Sequence, residues 1–229
     1  LRIGRQELNY GDGVVIGNLD FSNVARSFDA AWIHYAHAHG FVDAFFSQTA
    51  EDDANRAAVD GQAIFAGAYA GWVLFDQKLQ ADAYALWLLD KRLEDFNDFN
   101  LATLGHRSRF DFSGFDTRFE GGIQIGKSLG EDTRAHMIDA EAGYTLPLPG
   151  KVRIGAEYSY ASGDTPFEGK FTRWHPLFQS PHPYLGALDL IGRQNVRAFK
   201  GQIGFSPNAR WDAQASYHRF FRANADDFV

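Results

Sequence analysis

The chain has 229 residues, of which 45% are hydrophobic and 15% aromatic, and a net charge of −7. Its mean hydropathy is −0.32, and no apolar run reaches the roughly 18–20 residues of a helical membrane span, which leaves a membrane barrel open because barrel strands disperse their apolar residues. The acidic balance argues against nucleic acid as a partner, and the absence of cysteine removes disulfides and thiolate chemistry.

After a first segment at Leu1–Leu8, period-2 alternation recurs near 28–36, 41–49, 62–74, 78–91, 101–112, 117–128, 134–146, 151–162, 196–206 and 209–221. These about eleven segments run mostly to about 9–13 residues, whereas soluble strands average about 5–6 and tilted membrane strands need about 9–11. Successive side chains on a strand point to opposite faces. In 79–90, Ala81, Ala83, Ala85, Trp87 and Leu89 oppose Gln80, Asp82 and Asp90. In 117–127, Phe119, Ile123 and Ile125 oppose Glu120 and Gln124; in 137–146, Ile138, Ala140, Ala142 and Tyr144 oppose Asp139 and Glu141. In 151–162, Ile154 and Tyr158 oppose Arg153 and Glu157, and in 209–218, Trp211, Ala213, Ala215 and Tyr217 oppose Asp212, Gln214, Ser216 and His218. Several apolar faces end in Trp or Tyr, as aromatic girdles do at a lipid interface. His106 falls on the apolar parity, and 62–74 is apolar on both parities. A soluble barrel or sandwich with its oily face inside would show the same alternation, although the Ala-, Gly- and Tyr-rich apolar sets fit a tight interior poorly.

The links alternate in length. Those at 37–40, 75–77, 113–116, 147–150 and 206–208 are short; Asn9–Ser27, Ala50–Gly61, Leu93–Asn100, Ser128–Thr133 and Gly163–Asn195 are mostly longer. Outer-membrane barrels have tight periplasmic turns and longer outside loops. The expected fold class is therefore all-β: a transmembrane antiparallel up-and-down β-barrel, a single domain over 1–229 with 163–195 as a long extracellular loop.

"GRQELNYGDGVVIG" (4–17), "RSFDAAWIHY" (26–35), "YSYASGD" (158–164), "HPLF" (175–178), "HPYLGALDLIGRQN" (182–195) and "SYHRF" (216–220) lie in order along the chain, and the set resembles the alginate-export family of Gram-negative outer-membrane porins. The resemblance implies a monomeric barrel, of about eighteen strands in the best-known member, that passes a polysaccharide through its lumen in the bacterial outer membrane. It also implies strands before and after those visible here, so the barrel is expected to be incomplete, about eleven strands of about sixteen to eighteen.

With the charged parity facing a channel, the lining includes Asp43, Asp82, Arg107, Arg109, Asp111, Glu120, Asp139, Glu141, Arg153, Glu157, Lys200 and His218. Charge rings and constricting loops set selectivity in such pores. A polyuronate such as alginate is anionic, so the resemblance implies a basic pathway, which Arg107, Arg109, Arg153 and Lys200 could supply. Glu120, Asp139, Glu141 and Glu157 could equally pair with them and brace the wall. The 163–195 link is the candidate gate, because links of that length are usually functional. Its Arg173, Trp174, His175, Tyr184 and Arg193 mix cations with rings suited to sugar contacts; the alternative is a loop folded on itself by Pro166, Pro176, Pro181 and Pro183 that seals the rim. The 9–27 link is the second candidate, with Tyr10, Asp12, Asp20 and Arg26 and a Gly11–Asp12–Gly13 turn signal.

No catalytic residue, cofactor or metal is expected, and the protein is not read as an enzyme. His37 and His39 lack a third ligand for a transition metal, Ser162, His175 and Asp189 lack a nucleophile-elbow context, and the acidic run 51–56 lacks the spaced ligands of a calcium loop. The expected partners are an oligo- or polysaccharide solute, outer-membrane lipid and periplasmic export proteins. A plugged barrel serving as an anchor or binding protein is the alternative function.

Overall fold

The computed structural model describes residues 1–48, 63–91, 99–166 and 168–227. The expected link at 50–61 and the acidic run 51–56 fall outside the described residues, as do residues 93–98 of the link expected at 93–100, whose last two residues belong to a strand. In chain order the strands are β1 (Arg2–Gln6), β2 (Phe28–His37), β3 (Gly40–Gln48), β4 (Ala63–Leu74), β5 (Leu79–Asp90), β6 (Phe99–Phe112), β7 (Phe115–Ser128), β8 (Glu131–Thr145), β9 (Arg153–Ala161), the two-residue β10 (Lys170–Phe171), β11 (Val196–Asn208) and β12 (Trp211–Arg222). A short helix, α1 (His182–Leu185), interrupts the link before β11.

All twelve strands belong to one sheet, in which each long strand pairs antiparallel with its sequence neighbours from β1 to β12, while β10 adds a parallel pair to β8. The path does not close on itself among the described residues. The fold is the all-β, up-and-down arrangement that the alternation predicts.

One link departs from the expected alternation of lengths. The span Ser128–Thr133, read as a longer link, is a tight hairpin: β7 runs through Ser128 and β8 starts at Glu131. Leu129 and Gly130 both take positive φ, 55° and 83°, which matches the right-handed twist of the flanking strands. Backbone geometry at two residues thus extends both strands to 14 and 15 residues.

Parity separates the two faces. Ile33, Phe46, Trp87, Leu104, Phe119, Ile123, Ile138, Tyr144, Ile154, Phe199 and Ile203 are exposed on one side. Asp43, Asp82, Arg107, Arg118, Glu120, Gln124, Asp139 and Glu157 are buried on the other. Ile154 is 53% exposed while Asp139, on the neighbouring strand and the opposite face, is 0% exposed. This inverts the usual soluble arrangement, in which large apolar side chains are inside and unpaired charges are not. The ambiguous 62–74 segment is decided by register: Asp43 pairs with Tyr69 and Tyr69 with Tyr84, which sends Phe65 and Tyr69 to the covered face and Trp72 outward.

What covers the inner face is chain from the two longest links. Leu8, Val14, Val15 and Ile16 from the first and Trp174 and Leu185 from the second pack against Phe28, Phe45, Phe65, Leu86, Leu88 and Met137 of the strands. The links also pair with each other: Ile16 bridges Phe178, Gly17 N–H donates to Phe178 O (2.8 Å), and Ser180 N–H donates to Gly13 O (2.8 Å). Backbone hydrogen bonds between two irregular segments satisfy groups that burial would otherwise strand. The covering layer is one folded unit. The 163–195 link, read from the sequence as a long loop and candidate gate, packs against the inner side of the sheet through Trp174 and Leu185.

Candidate functional site

The inner wall changes character along the strands. Toward the long-link end its rows are apolar, with Phe65, Leu88 and Leu101 in register. Toward the short-turn end two charged rows cross the sheet. One runs Asp82, Arg107, Glu120, Asp139, Ser159; the next runs Arg109, Arg118, Glu141, Glu157, Lys200, His218. Direct cross-strand neighbours sit close enough for opposite charges to attract and like charges to repel. The rows resolve this by diagonal pairing.

Asp139 on β8 is held by Arg118 from β7 at 2.7 Å and by Arg193 from the long link, and Ser159 donates to it at 2.7 Å. Lys200 pairs with Glu157 at 3.1 Å, and Arg118 also reaches Glu157 and Glu141. Arg153 reaches two carboxylates, Asp116 and Glu141 (2.5 and 2.9 Å). It does so by crossing Gly143, where an added Cβ would lie 2.2 Å from its Nη2; glycine is the residue that lets a long side chain lie flat on the wall. Glu120 accepts from the Tyr84 hydroxyl at 3.1 Å. Arg107 pairs with Asp82 (2.9 Å) and with Asp12 of the first link (2.8 Å). Arg109 makes no ion pair among the described residues. It lines a polar cavity of about 420 Å³ together with Asp12, Asp111, Asp116, Arg153 and Tyr184.

The expected gate residues sit in three different places. Arg173 stays at the rim, forked onto Asp227 beyond β12 and stacked over Phe171. Trp174 and His175 dock on the wall: the Trp174 ring fills the space over Gly122, 3.0 Å from where its Cβ would be. His175 exchanges two backbone hydrogen bonds with the Gln124 amide (2.8 and 2.9 Å), and its ring meets Phe99 edge-on. Burial pushes the His175 imidazole down to about 4. Tyr184 and Arg193 go deepest. The Tyr184 hydroxyl donates to Asp12 O at 2.6 Å, its ring lies under the Arg118 guanidinium, and burial raises its phenol well above the usual range. Arg26 of the first link donates to the carbonyls of Gly17, Phe178 and Gln179, which fastens the two links together.

The structure thus gathers Arg107, Arg153, Lys200, Glu120, Asp139, Glu141, Glu157, Tyr184 and Arg193 into one inner-wall network and leaves Arg109 at its edge and Arg173 outside it. Arg118 is the central cation that sequence reasoning missed. It shares parity with Glu120, so the alternation was sufficient to find it. Gln124 was legible as an inward side chain; that it clamps a backbone from 51 residues away was not. Among the described residues no group of three or more His, Asp or Glu converges as a metal site.

Such a wall carries charged and hydroxyl groups of both hydrogen-bonding senses, and the two links cover it. A comparison with curated proteins finds no match. The family model for alginate export matches the chain over residues 1–229, and the chain belongs to that family.

Proposed function

We propose that the chain is the wall and gate of an outer-membrane channel that moves an oligo- or polysaccharide, with the covering links as its extracellular plug. One observation carries the reading: adjacent residues Ile138 and Asp139 face opposite media, the first exposed and the second wholly buried among cations. A sheet that is greasy outside and ionic inside suits lipid on one face and a wet path on the other. Arg107, Arg109, Arg153 and Lys200 with Glu120, Asp139, Glu141 and Glu157 form the solute path in this reading, and Trp174, His175, Tyr184 and Arg193 hold the gate shut. Membership of the alginate export family supports a polysaccharide solute, outer-membrane lipid around the barrel and export proteins on the periplasmic side.

A second reading has specific support. The links are hydrogen-bonded to each other and to the wall at Gly17, Phe178, Ser180 and His175, as a permanent seal would be, which suits an anchor or binding protein. Planar-bilayer recording on the full-length protein separates the two. A gated channel shows brief openings in the parent protein and conducts steadily after removal of 172–195; a permanently sealed anchor stays silent in the parent and conducts only after the removal.

A further inference from the structure

Above the ionic rows lies a floor of aromatic rings. Phe41 covers Gly71, where an added Cβ would fall 2.6 Å from its ring, and Tyr84 covers Gly105 at 2.2 Å. Rings that lie over a neighbouring strand's glycine lie flat on the sheet, with one face toward the interior. Phe41, Tyr69 and Tyr84 are nearly parallel, at 5° and 9° to their neighbours with centroids 6.1 and 5.6 Å apart. Hydrogen-bond acceptors border the floor: Asp82 accepts from the Tyr69 hydroxyl at 2.8 Å, and Asp43 accepts from Trp32 Nε1 at 3.2 Å and contacts the His34 ring at 2.6 Å.

The floor is occupied by the protein itself. Tyr10, from the first covering link, stacks on Tyr69 with centroids 4.4 Å apart and 19° between planes, and its hydroxyl donates to Asp43 at 3.0 Å. A flat six-membered ring with a hydroxyl on a carboxylate is the pose a pyranose would take. Its axial C–H groups carry partial positive charge and favour the negative face of an aromatic ring, and its hydroxyls donate to carboxylates.

We infer that Phe41, Tyr69 and Tyr84 with Asp43 form a stacking station for an uncharged, hydroxyl-rich pyranose unit, and that Tyr10 is its built-in competitor. The station deepens the channel reading, since it lies on the proposed solute path. Asp43 at its margin disfavours a uronate there by like charge, whereas Asp82 is already paired with Arg107. A solute must displace Tyr10, so the apparent affinity falls by the fraction of time the station is open. Stacking on this floor would therefore also unseat the first link.

The test titrates the full-length protein in detergent with mannohexaose and, separately, with a mannuronate hexamer, by calorimetry, while bilayer recording follows conductance. The Tyr10→Ala variant is expected to bind mannohexaose at least about tenfold more tightly than the parent, with a smaller gain for the mannuronate hexamer. Tyr69→Leu, which keeps bulk but removes the flat face, is expected to lose mannohexaose binding whether or not Tyr10 is present. Mannohexaose affinity unchanged by Tyr10→Ala or by Tyr69→Leu would overturn the station, as would an equal gain for the charged hexamer. A protein that binds as expected yet never conducts leaves the station standing and removes the channel.

Discussion

Arg193 and Asp139 lie 54 residues apart in sequence and meet as a sealed ion pair, the first on a link and the second on the wall of β8. A buried pair contributes little against an apolar alternative, but removing one partner leaves a stranded charge. The asymmetry makes this contact a latch.

Asp139→Asn is therefore expected to be severe, because it leaves the buried Arg193 without an ion-pair partner among the described residues and takes from Arg118 its shortest one; the cost should be about 3–5 kcal/mol, read as a lower unfolding temperature. Arg193→Met should be milder, since Arg118 still neutralises Asp139. It should free the link and raise channel open time. Equal stability loss in both variants would contradict the latch.

Gly122→Leu is expected to evict Trp174, whose ring occupies the space a side chain would take. Trp174→Ala removes the same contact from the other side and should cost about 3–5 kcal/mol of docking and packing. Protease accessibility of the 172–195 segment is the readout, and both variants should be cut faster than the parent. Protection in the Gly122→Leu protein would mean that Trp174 does not need this surface.

The docked link should loosen in acid. Folded His175 titrates near 4 because burial disfavours its charge, against 6.5 for the free side chain. The undocked state then binds more protons, so docking stability falls as pH drops from about 6.5 toward 4 and is constant above it. Conductance should rise over that interval, and His175→Asn should flatten the dependence. A rise that survives the substitution would assign it elsewhere.

Arg153 neutralises Asp116 and Glu141 at the polar cavity, where Asp111 also sits. Arg153→Met should raise cation selectivity, seen as a shift in reversal potential across a salt gradient. Gly143→Ala should mimic it by pushing the guanidinium off the wall, since the added Cβ would fall 2.2 Å from its Nη2 and 2.4 Å from its Cζ. A selectivity change in one variant without the other would break that link.

The strands and their two faces were legible because side-chain direction alternates with a period of two, so fixing the face of Ile154 or Phe119 places a whole strand. The interior was less legible for a related reason. Parity reports which face a residue is on and is silent about what covers that face, so Trp174, Tyr184 and Arg193 could be named as a gate without any sign that they reach Gly122, Arg118 and Asp139. The 62–74 segment failed on parity alone because small residues on the outer side mimic apolar residues inside. Its register against Asp43 supplied the answer. The Leu129–Gly130 turn was missed because the first of its two positive-φ positions is Leu129, a residue that gives no turn signal.

Everything depends on which face meets lipid. The chain has no cysteine, so single spin labels can be placed at Ile154→Cys on the outer side and Arg109→Cys on the inner side of the full-length protein in bilayers. The account predicts that the label at 154 relaxes with oxygen, which partitions into lipid, and ignores a water-soluble nickel chelate, while the label at 109 does the reverse. Nickel access at 154 with oxygen access at 109 would contradict it.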